Sequence, residues 1–446
     1  MIQETIVALS TPPMESALAV IRMSGDQSLS IVNQIFSSPV QSRDARRVKV
    51  GHLRSLQGEM IDQVVLTFYE HPRSFTGEDM IEISCHGSML IVEKILAVLV
   101  SLGARLANRG EFSQRAYLNG KIDLIQAEAI NDLIIARSTS AHQLALANLG
   151  GKVSNTIQHI KTELLDLLAH MEVNIDYPEY YDIEQIAHDL IVPRVQQVEA
   201  SMSLILRDAE LGQVIRNGVK TAIVGQTNVG KSSLLNALLK ENKAIVTDIA
   251  GTTRDIVEGS VSLGGISLHL MDTAGIRDTI DFVEQIGVSK SHEAIEKADI
   301  VLVVLDASKP LDQQDQAVLK LTEHKNRIIV SNKIDKSKQY VYPGSVQIST
   351  LKGDLAQLEQ ALYHALGFNP HEALELPLLT NARQFGYMRQ AVEAIRNVRQ
   401  AAESYTPIDL LSIDVKRAVI AIQAILGEVP TDQLDTEIFS RFCIGK

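Results

Sequence analysis

Cysteine is almost absent from this chain of 446 residues. Cys85 and Cys443 are too few and too far apart for a disulfide framework or a cysteine zinc cluster, a usage that points to the cytosol. Long apolar runs are missing as well. The stretches around Ile95 to Val100 and Ile300 to Leu305 fall far short of the about 18 residues that a membrane-spanning helix needs, and no charged-then-apolar leader opens the sequence. A soluble, unexported protein is expected. Positive charge is in deficit: 42 Lys and Arg stand against 54 Asp and Glu, a formal charge of -12. Broad nonspecific attraction to a nucleic-acid backbone is disfavoured, although a local basic patch can coexist with a negative total. With 45% apolar and 22% charged residues, a disordered or collagen-like chain is excluded. At roughly 150 residues per domain the length predicts about three domains.

Residues 1–118 form the first expected domain. Short β-branched runs at 5–8, 19–22 and 64–68 accompany a helical apolar pattern over 90–102, a mixture that predicts an α+β fold. From 119 to 217 Ala, Leu, Gln and Glu dominate, and apolar residues recur at helical spacing in Ile157, Ile160, Leu164, Leu165, Leu168 and Met171. The pattern breaks at Asn217-Gly218. Beyond it, a short apolar run at 219–224 and strand-like runs at 267–271, 300–305, 327–331 and 346–348, separated by helix-length stretches, predict an α/β domain with a mostly parallel sheet over 218–372. Helical spacing returns over 373–446 through Met388, Val392, Ile395 and Val398, then Leu410, Val415, Val419, Ile422 and Ile425. Neither helical part alone can bury all its apolar stripes. The α/β unit is therefore expected as an insertion between two parts of one discontinuous helical domain, and the fold class is multidomain α/β plus α.

Residues 225–232, Gly-Gln-Thr-Asn-Val-Gly-Lys-Ser, match in full the pattern of a phosphate-binding loop, set between an expected strand and an expected helix at 232–239. In such a loop the backbone around Asn228, Val229, Gly230, Lys231, Ser232 and Ser233 cradles phosphates at a helix N-terminus. Lys231 reaches the β and γ phosphates, and the Ser232 hydroxyl coordinates magnesium. The run Asp272-Thr273-Ala274-Gly275 follows the expected strand 267–271. There a carboxylate can hold the magnesium through water, and the Gly275 amide can meet the γ phosphate. After the strand at 327–331 comes Asn332-Lys333-Ile334-Asp335, whose Asp335 carboxylate can accept hydrogen bonds from guanine N1 and N2. Adenine lacks both donors, and an unmatched buried polar pair costs a factor of about ten thousand or more, so Asp335 selects GTP over ATP. That argues against an ATP-dependent kinase. Ser349-Thr350-Leu351, after the strand at 346–348, offers loop amides to the guanine oxygen. Ile276 stands where GTPases of the Ras type carry a water-orienting glutamine, so hydrolysis has to be arranged otherwise.

At this point the chain resembles a GTPase of the translation-factor class, and further residues narrow the resemblance. Residues 244–255, Ala-Ile-Val-Thr-Asp-Ile-Ala-Gly-Thr-Thr-Arg-Asp, look like the first switch of the MnmE (TrmE) tRNA-modification GTPases. Gly110-Glu111-Phe112-Ser113-Gln114-Arg115-Ala116 and the terminal Phe442-Cys443-Ile444-Gly445-Lys446 are similar to that family too, so the resemblance covers essentially the whole chain. It implies an N-terminal tetrahydrofolate-binding and dimerisation domain, a discontinuous helical domain and an inserted Ras-like P-loop GTPase domain. It also implies potassium-stimulated hydrolysis that depends on contact between two GTPase domains. Asn228 matches the family residue whose side-chain oxygen ligates potassium, the carbonyls of Thr247, Ile249 and Thr252 match the rest of that shell, and Thr253 matches a second magnesium ligand beside Ser232. Asp248, Ala250 and Gly251 belong to the same nucleotide-covering loop. The family's water-positioning glutamate maps onto Glu284, which chemistry alone would not separate from Asp278 or Asp281.

The resemblance further implies a tetrahydrofolate one-carbon carrier, a 5-formyl or methylene derivative, held by Arg22, Glu82, Lys121 and Lys446. Arg and Lys suit its glutamate tail, and Glu82 suits the guanidine-like edge of the pterin. A homodimer would join the flavoprotein MnmG, which brings FAD, in a heterotetramer. That complex would attach an aminomethyl or carboxymethylaminomethyl group to carbon 5 of the wobble uridine, position 34, of certain tRNAs in the cytoplasm. Cys443 is a candidate catalytic thiol. Two departures from the family's pattern stand out: Met14-Glu15-Ser16-Ala17 follows Pro12-Pro13 where glycines are usual, and Thr350 replaces an alanine. The competing expectation is a regulatory GTP-binding protein of ribosome assembly or stress response without folate chemistry.

Overall fold

The computed structural model describes residues 4–176, 183–241, 259–271, 292–336, 340–351, 353, 355–429, 438–439, 442 and 445. They belong to two compact units, one formed by the chain up to Asn131 together with the part from Gln423 onward, the other by Asp132–Ile422.

In the first unit β1 (Ile6–Leu9), β2 (Ser16–Ser24), β3 (Val48–Arg54), β4 (Met60–Tyr69), β5 (Met80–Gly87) and β6 (Arg105–Leu106) form one sheet, in the order β3-β4-β5-β2-β1-β6. All neighbours run antiparallel except β1 and β6. The runs expected at 5–8, 19–22 and 64–68 appear as β1, β2 and β4. β5 escapes a search for apolar runs because it alternates: Ile81, Ile83 and Cys85 are buried, whereas Glu82, Ser84 and His86 point to the other face. Helix Met89–Ser101 lays Val92, Ile95 and Leu99 on the covered face, where Ile21, Met23, Val64, Leu66 and Phe68 complete the core. Each such side chain gains about 1.5 to 3 kcal/mol on leaving water. On the opposite face the ladder sets Arg22 beside Glu82 and Glu82 beside Thr67. Phe439 and Phe442 enter a small buried cluster with Leu124 and Ala127; the Phe439 ring lies 5.1 Å from that of Phe442 and 6.2 Å from that of Tyr117. Ser10 Oγ donates to the Gly445 carbonyl at 3.2 Å, fastening the terminal segment beside the β1–β2 connection.

In the second unit β7 (Val219–Val224), β8 (Ser260–Leu263), β9 (Ile266–Met271), β10 (Ile300–Asp306), β11 (Arg327–Asn332) and β12 (Val346–Gln347) form a sheet in the order β12-β11-β10-β7-β9-β8. Every neighbouring pair is parallel except β8 and β9. Residues 300–305 of β10 are all buried, as a parallel strand covered on both faces requires. The strands expected at 219–224, 267–271, 300–305, 327–331 and 346–348 are present to within a residue. β8 is a strand the sequence reading misses, because Ser260-Val261-Ser262-Leu263 is short and half polar. It returns to β9 through Gly264 and Gly265, both left-handed with φ 57° and 76°, as a two-residue hairpin turn requires. A Cβ on Gly265 would stand 2.3 Å from Ser140 Oγ and one on Gly264 2.5 Å from Tyr363 Oη, so the tip fits tightly between helices Thr139–Leu149 and Ala356–Leu366.

Helices on both sides of the inserted sheet build one helical body. Leu144 and Ile215 share a buried cluster with Ala373 and Leu378, and Arg396 and Arg399 of helix Ala382–Glu403 both reach Glu199 of helix Ile183–Asn217, at 3.2 and 2.6 Å. Among the described residues no helix is long and apolar enough to cross a membrane.

Candidate guanine-nucleotide site

β7 ends at Val224, and the chain turns through 225–230 into helix Lys231–Glu241, whose first amides have no partner within the helix. Gly230 has φ 103°, and a Cβ there would stand 2.2 Å from Asn332 Nδ2, so the close approach leaves room for glycine alone. Asn332 Nδ2 donates to the Val229 carbonyl at 3.0 Å, and Asn332 Oδ1 accepts from the Thr350 amide at 3.2 Å. One fully buried side chain thus ties together the turn after β7, the end of β11 and the loop after β12.

Lys231 Nζ donates to the carbonyls of Gly225 and Gln226 at 2.8 and 2.7 Å. Burial lowers its pKa, and no carboxylate among the described residues pairs with it. A half-buried, unpaired ammonium at a helix N-terminus suits an anion of high charge. Ser232 and Ser233 are exposed at the start of the same helix.

Lys333 carries the second cation. Its Nζ donates to the Asn228 carbonyl and pairs with Asp306 at 2.7 Å. Burial pushes the Asp306 carboxyl up. The Lys333 ammonium and the hydroxyl and amide of Ser308, at 2.6 and 2.9 Å, outweigh that and hold it below the usual carboxylate range. Asp306 is absent from the sequence-based site; its signal is a carboxylate closing the strand next to the one that leads into the loop. Asp335 is exposed and accepts from Ser349 Oγ at 2.6 Å, with Ser349 itself buried and Leu351 exposed.

The structure therefore gathers residues 225–233, Asn332, Lys333, Asp335, Ser349, Thr350 and Leu351 at the ends of β7, β11 and β12. Thr247, Asp248, Ile249, Ala250, Gly251, Thr252, Thr253, Asp272, Thr273, Ala274, Gly275 and Glu284 lie outside the described residues, as do Cys443 and Lys446.

In the first unit two of the expected folate residues meet. Arg22 donates to Glu82 Oε1 from Nε at 3.0 Å and from Nη2 at 2.7 Å, and its guanidinium stands 5.3 Å from the ring centre of Phe75 and 5.8 Å from that of Phe112. Tyr69 donates to Glu82 Oε2 at 3.4 Å; burial, then the charge of Glu82, raises the tyrosine pKa. Lys121 Nζ donates to the Pro72 carbonyl at 3.0 Å and is not part of that ion pair. Cys85 is buried on the covered face, and burial followed by Asp62 pushes its thiol up to about 11, so it is no nucleophile at neutral pH.

A parallel sheet whose strand ends join a phosphate-type loop to an Asn-Lys-x-Asp loop defines a P-loop GTPase domain. Residues 5–121 match the family model of the GTP-binding protein TrmE N-terminus, and residues 124–443 match that of the MnmE helical domain. The chain belongs to the MnmE family of tRNA modification GTPases. It is 42% identical to the tRNA modification GTPase MnmE of Streptococcus thermophilus over 99% of this chain and 98% of the relative, and 44% identical to that of Acholeplasma laidlawii over 99% of each. The protein of that name from Lactiplantibacillus plantarum is 42% identical over 99% of this chain and 98% of its own.

Proposed function

We propose that this chain hydrolyses GTP in the service of wobble-uridine modification. Acting with MnmG, it would help attach an aminomethyl or carboxymethylaminomethyl group to carbon 5 of uridine 34 in certain tRNAs, using a tetrahydrofolate one-carbon unit. The observation that carries the nucleotide half is the tie made by Asn332 between the Val229 carbonyl and the Thr350 amide, which joins a phosphate loop to a base loop. In this reading Asn228, Val229, Gly230, Lys231, Ser232 and Ser233 hold the phosphates, and Asp335, with Asn332, Lys333, Ser349, Thr350 and Leu351, holds guanine.

The donor sets suit the ions. Lys231 is a half-buried cation with no carboxylate partner among the described residues, as suits a triphosphate site, and Ser232 stands exposed beside it. Ser232 and Thr253, with Asp272 through water, would hold magnesium; Asn228 and the carbonyls of Thr247, Ile249 and Thr252 would hold potassium. Such cations neutralise the charge that develops on the β and γ phosphates. Glu284 would orient the attacking water.

For the one-carbon half, the carboxylate of Glu82, flanked by Arg22 and the rings of Phe75 and Phe112, suits a flat heterocycle with a guanidine-like edge. Lys121 and Lys446 would serve the carrier's glutamate tail, and Cys443 would supply a thiol. The working assembly would be a homodimer through residues 1–118, joined by FAD-bearing MnmG in a cytoplasmic heterotetramer, with the GTPase domain at 218–372 set between helical segments 119–217 and 373–446. The test is wobble-nucleoside analysis of tRNA from cells lacking the protein. The modified nucleoside should vanish and return with the wild-type gene but not with Lys231→Ala. An unchanged nucleoside profile would reject the reading.

A further inference from the structure

The chain carries a formal charge of -12, yet residues 41–54 hold Arg43, Arg46, Arg47, Lys49 and Arg54 against the single carboxylate of Asp44. Lys49 takes that carboxylate at 2.7 Å. Arg46, Arg47 and Arg73 are exposed, and none of them has a carboxylate partner among the described residues. Arg46 and Arg73 line a hollow of about 390 Å³ with Ala45, Glu70, His71 and Pro72.

The backbone fixes these arginines in place. Arg46 is one of the few non-glycine residues with a left-handed φ, 60°, and its amide donates to the Phe68 carbonyl of β4 at 2.7 Å. The Arg73 amide donates to the Glu70 carbonyl at 2.9 Å, and the His71 amide donates to Asp79 Oδ1 at 2.8 Å. Two pinned turns thus present guanidinium groups that the fold does not use internally. A guanidinium fork matches phosphate oxygens, and the hollow holds no Phe, Tyr or Trp on which a base could stack. Contacts of this kind fix position on a nucleic-acid backbone and carry no base identity.

We propose that the turns at 43–47 and 70–73 form a surface that grips the phosphate backbone of the tRNA through Arg46, Arg47 and Arg73. This rests on the reading that tRNA is the substrate, which the wobble-nucleoside analysis tests separately. If deletion of the gene abolishes the modification while the arginines prove irrelevant to RNA binding, this surface fails and the function stands.

The experiment measures binding of labelled, unmodified tRNA to the full-length chain across a salt series. The comparison is with the triple variant Arg46→Glu/Arg47→Glu/Arg73→Glu and the charge-preserving Arg46→Lys/Arg47→Lys/Arg73→Lys. The reversal should weaken binding roughly tenfold or more at low salt and flatten the slope of log affinity against log salt by about 2, while the lysine variant stays near wild type. GTP turnover without RNA should be unchanged in both. Should the reversal unfold the unit, Arg46→Gln/Arg47→Gln/Arg73→Gln carries the same expectation on slope. The proposal is overturned by wild-type affinity and slope in the folded variant, by a wild-type chain that does not bind tRNA, or by loss of polyglutamyl-folate binding with tRNA binding intact.

Discussion

Lys333 and Asn228, 105 positions apart in the chain, are joined by a hydrogen bond from the ammonium of one to the main-chain carbonyl of the other, and both hold left-handed φ angles, 64° and 63°. Left-handed backbone in non-glycine residues persists where surroundings over-determine it. Here the base loop and the phosphate loop over-determine each other, and Asp306 holds the lysine that links them.

Asp306→Ala should therefore weaken GDP binding although Asp306 is absent from the proposed nucleotide contacts. A hydrogen bond to a charged group contributes about 1.5 to 3 kcal/mol, so the loss should be roughly tenfold to a hundredfold. Asp306→Asn, which keeps an acceptor oxygen, should recover part of it. Fluorescent-nucleotide titration decides: equal affinities for wild type and Asp306→Ala would detach Asp306 from the site.

Gly230→Ala places a methyl group where Asn332 Nδ2 stands and demands a left-handed alanine at φ 103°. Strain of that kind costs about 1 to 3 kcal/mol, before the broken tie to Val229 is counted. The melting temperature should fall and nucleotide affinity with it. Wild-type values for both would mean that the amide of Asn332 swings away without consequence.

Exchange of Asp335 for Asn should move base preference from guanine toward xanthine, since an amide presents a donor where N1-H and N2-H need an acceptor. Ser349 Oγ donates to Asp335 Oδ1 at 2.6 Å, which ties this carboxylate to the loop after β12. Competition between GTP and xanthosine triphosphate is the measurement. GTP affinity that stays intact with no gain for the xanthine nucleotide would remove Asp335 from base recognition.

Hydrolysis should be faster in potassium chloride than in sodium chloride at equal ionic strength, because carbonyl oxygens set for the larger ion leave sodium under-coordinated, whereas screening treats the two salts alike. Asn228→Ala should lose that difference. Equal wild-type rates in the two salts would end the potassium mechanism; full stimulation of Asn228→Ala would end the role of that residue.

The inserted GTPase sheet is legible in the sequence because its inner parallel strands are written as largely apolar runs, so β7, β10 and β11 announce themselves, and β9 and β12 are found by their spacing between helix-length stretches. β5 and β8 do not. One alternates its residues between two faces and the other is a short polar edge. The proposed nucleotide residues stand out in the sequence for a different reason: phosphate and guanine demand fixed residue types at fixed spacing. Asp306 and the three exposed arginines obey no such spacing. They take on meaning only when folding sets Asp306 beside Lys333 and the 70–73 turn beside Arg46.

The β8–β9 hairpin has a mechanical consequence. The segment expected as the first switch, 244–255, precedes β8 in the chain, and the run 272–275 follows β9, so the two are joined in sequence through the same short ribbon. At its far end Gly264 and Gly265 are gripped by Tyr363 and Ser140, the latter in helix Thr139–Leu149. The Ser140 amide donates to the Gly265 carbonyl at 3.3 Å and Tyr363 Oη to the Gly264 carbonyl at 3.0 Å, so the far end of the ribbon is anchored to two helices that stand outside the sheet.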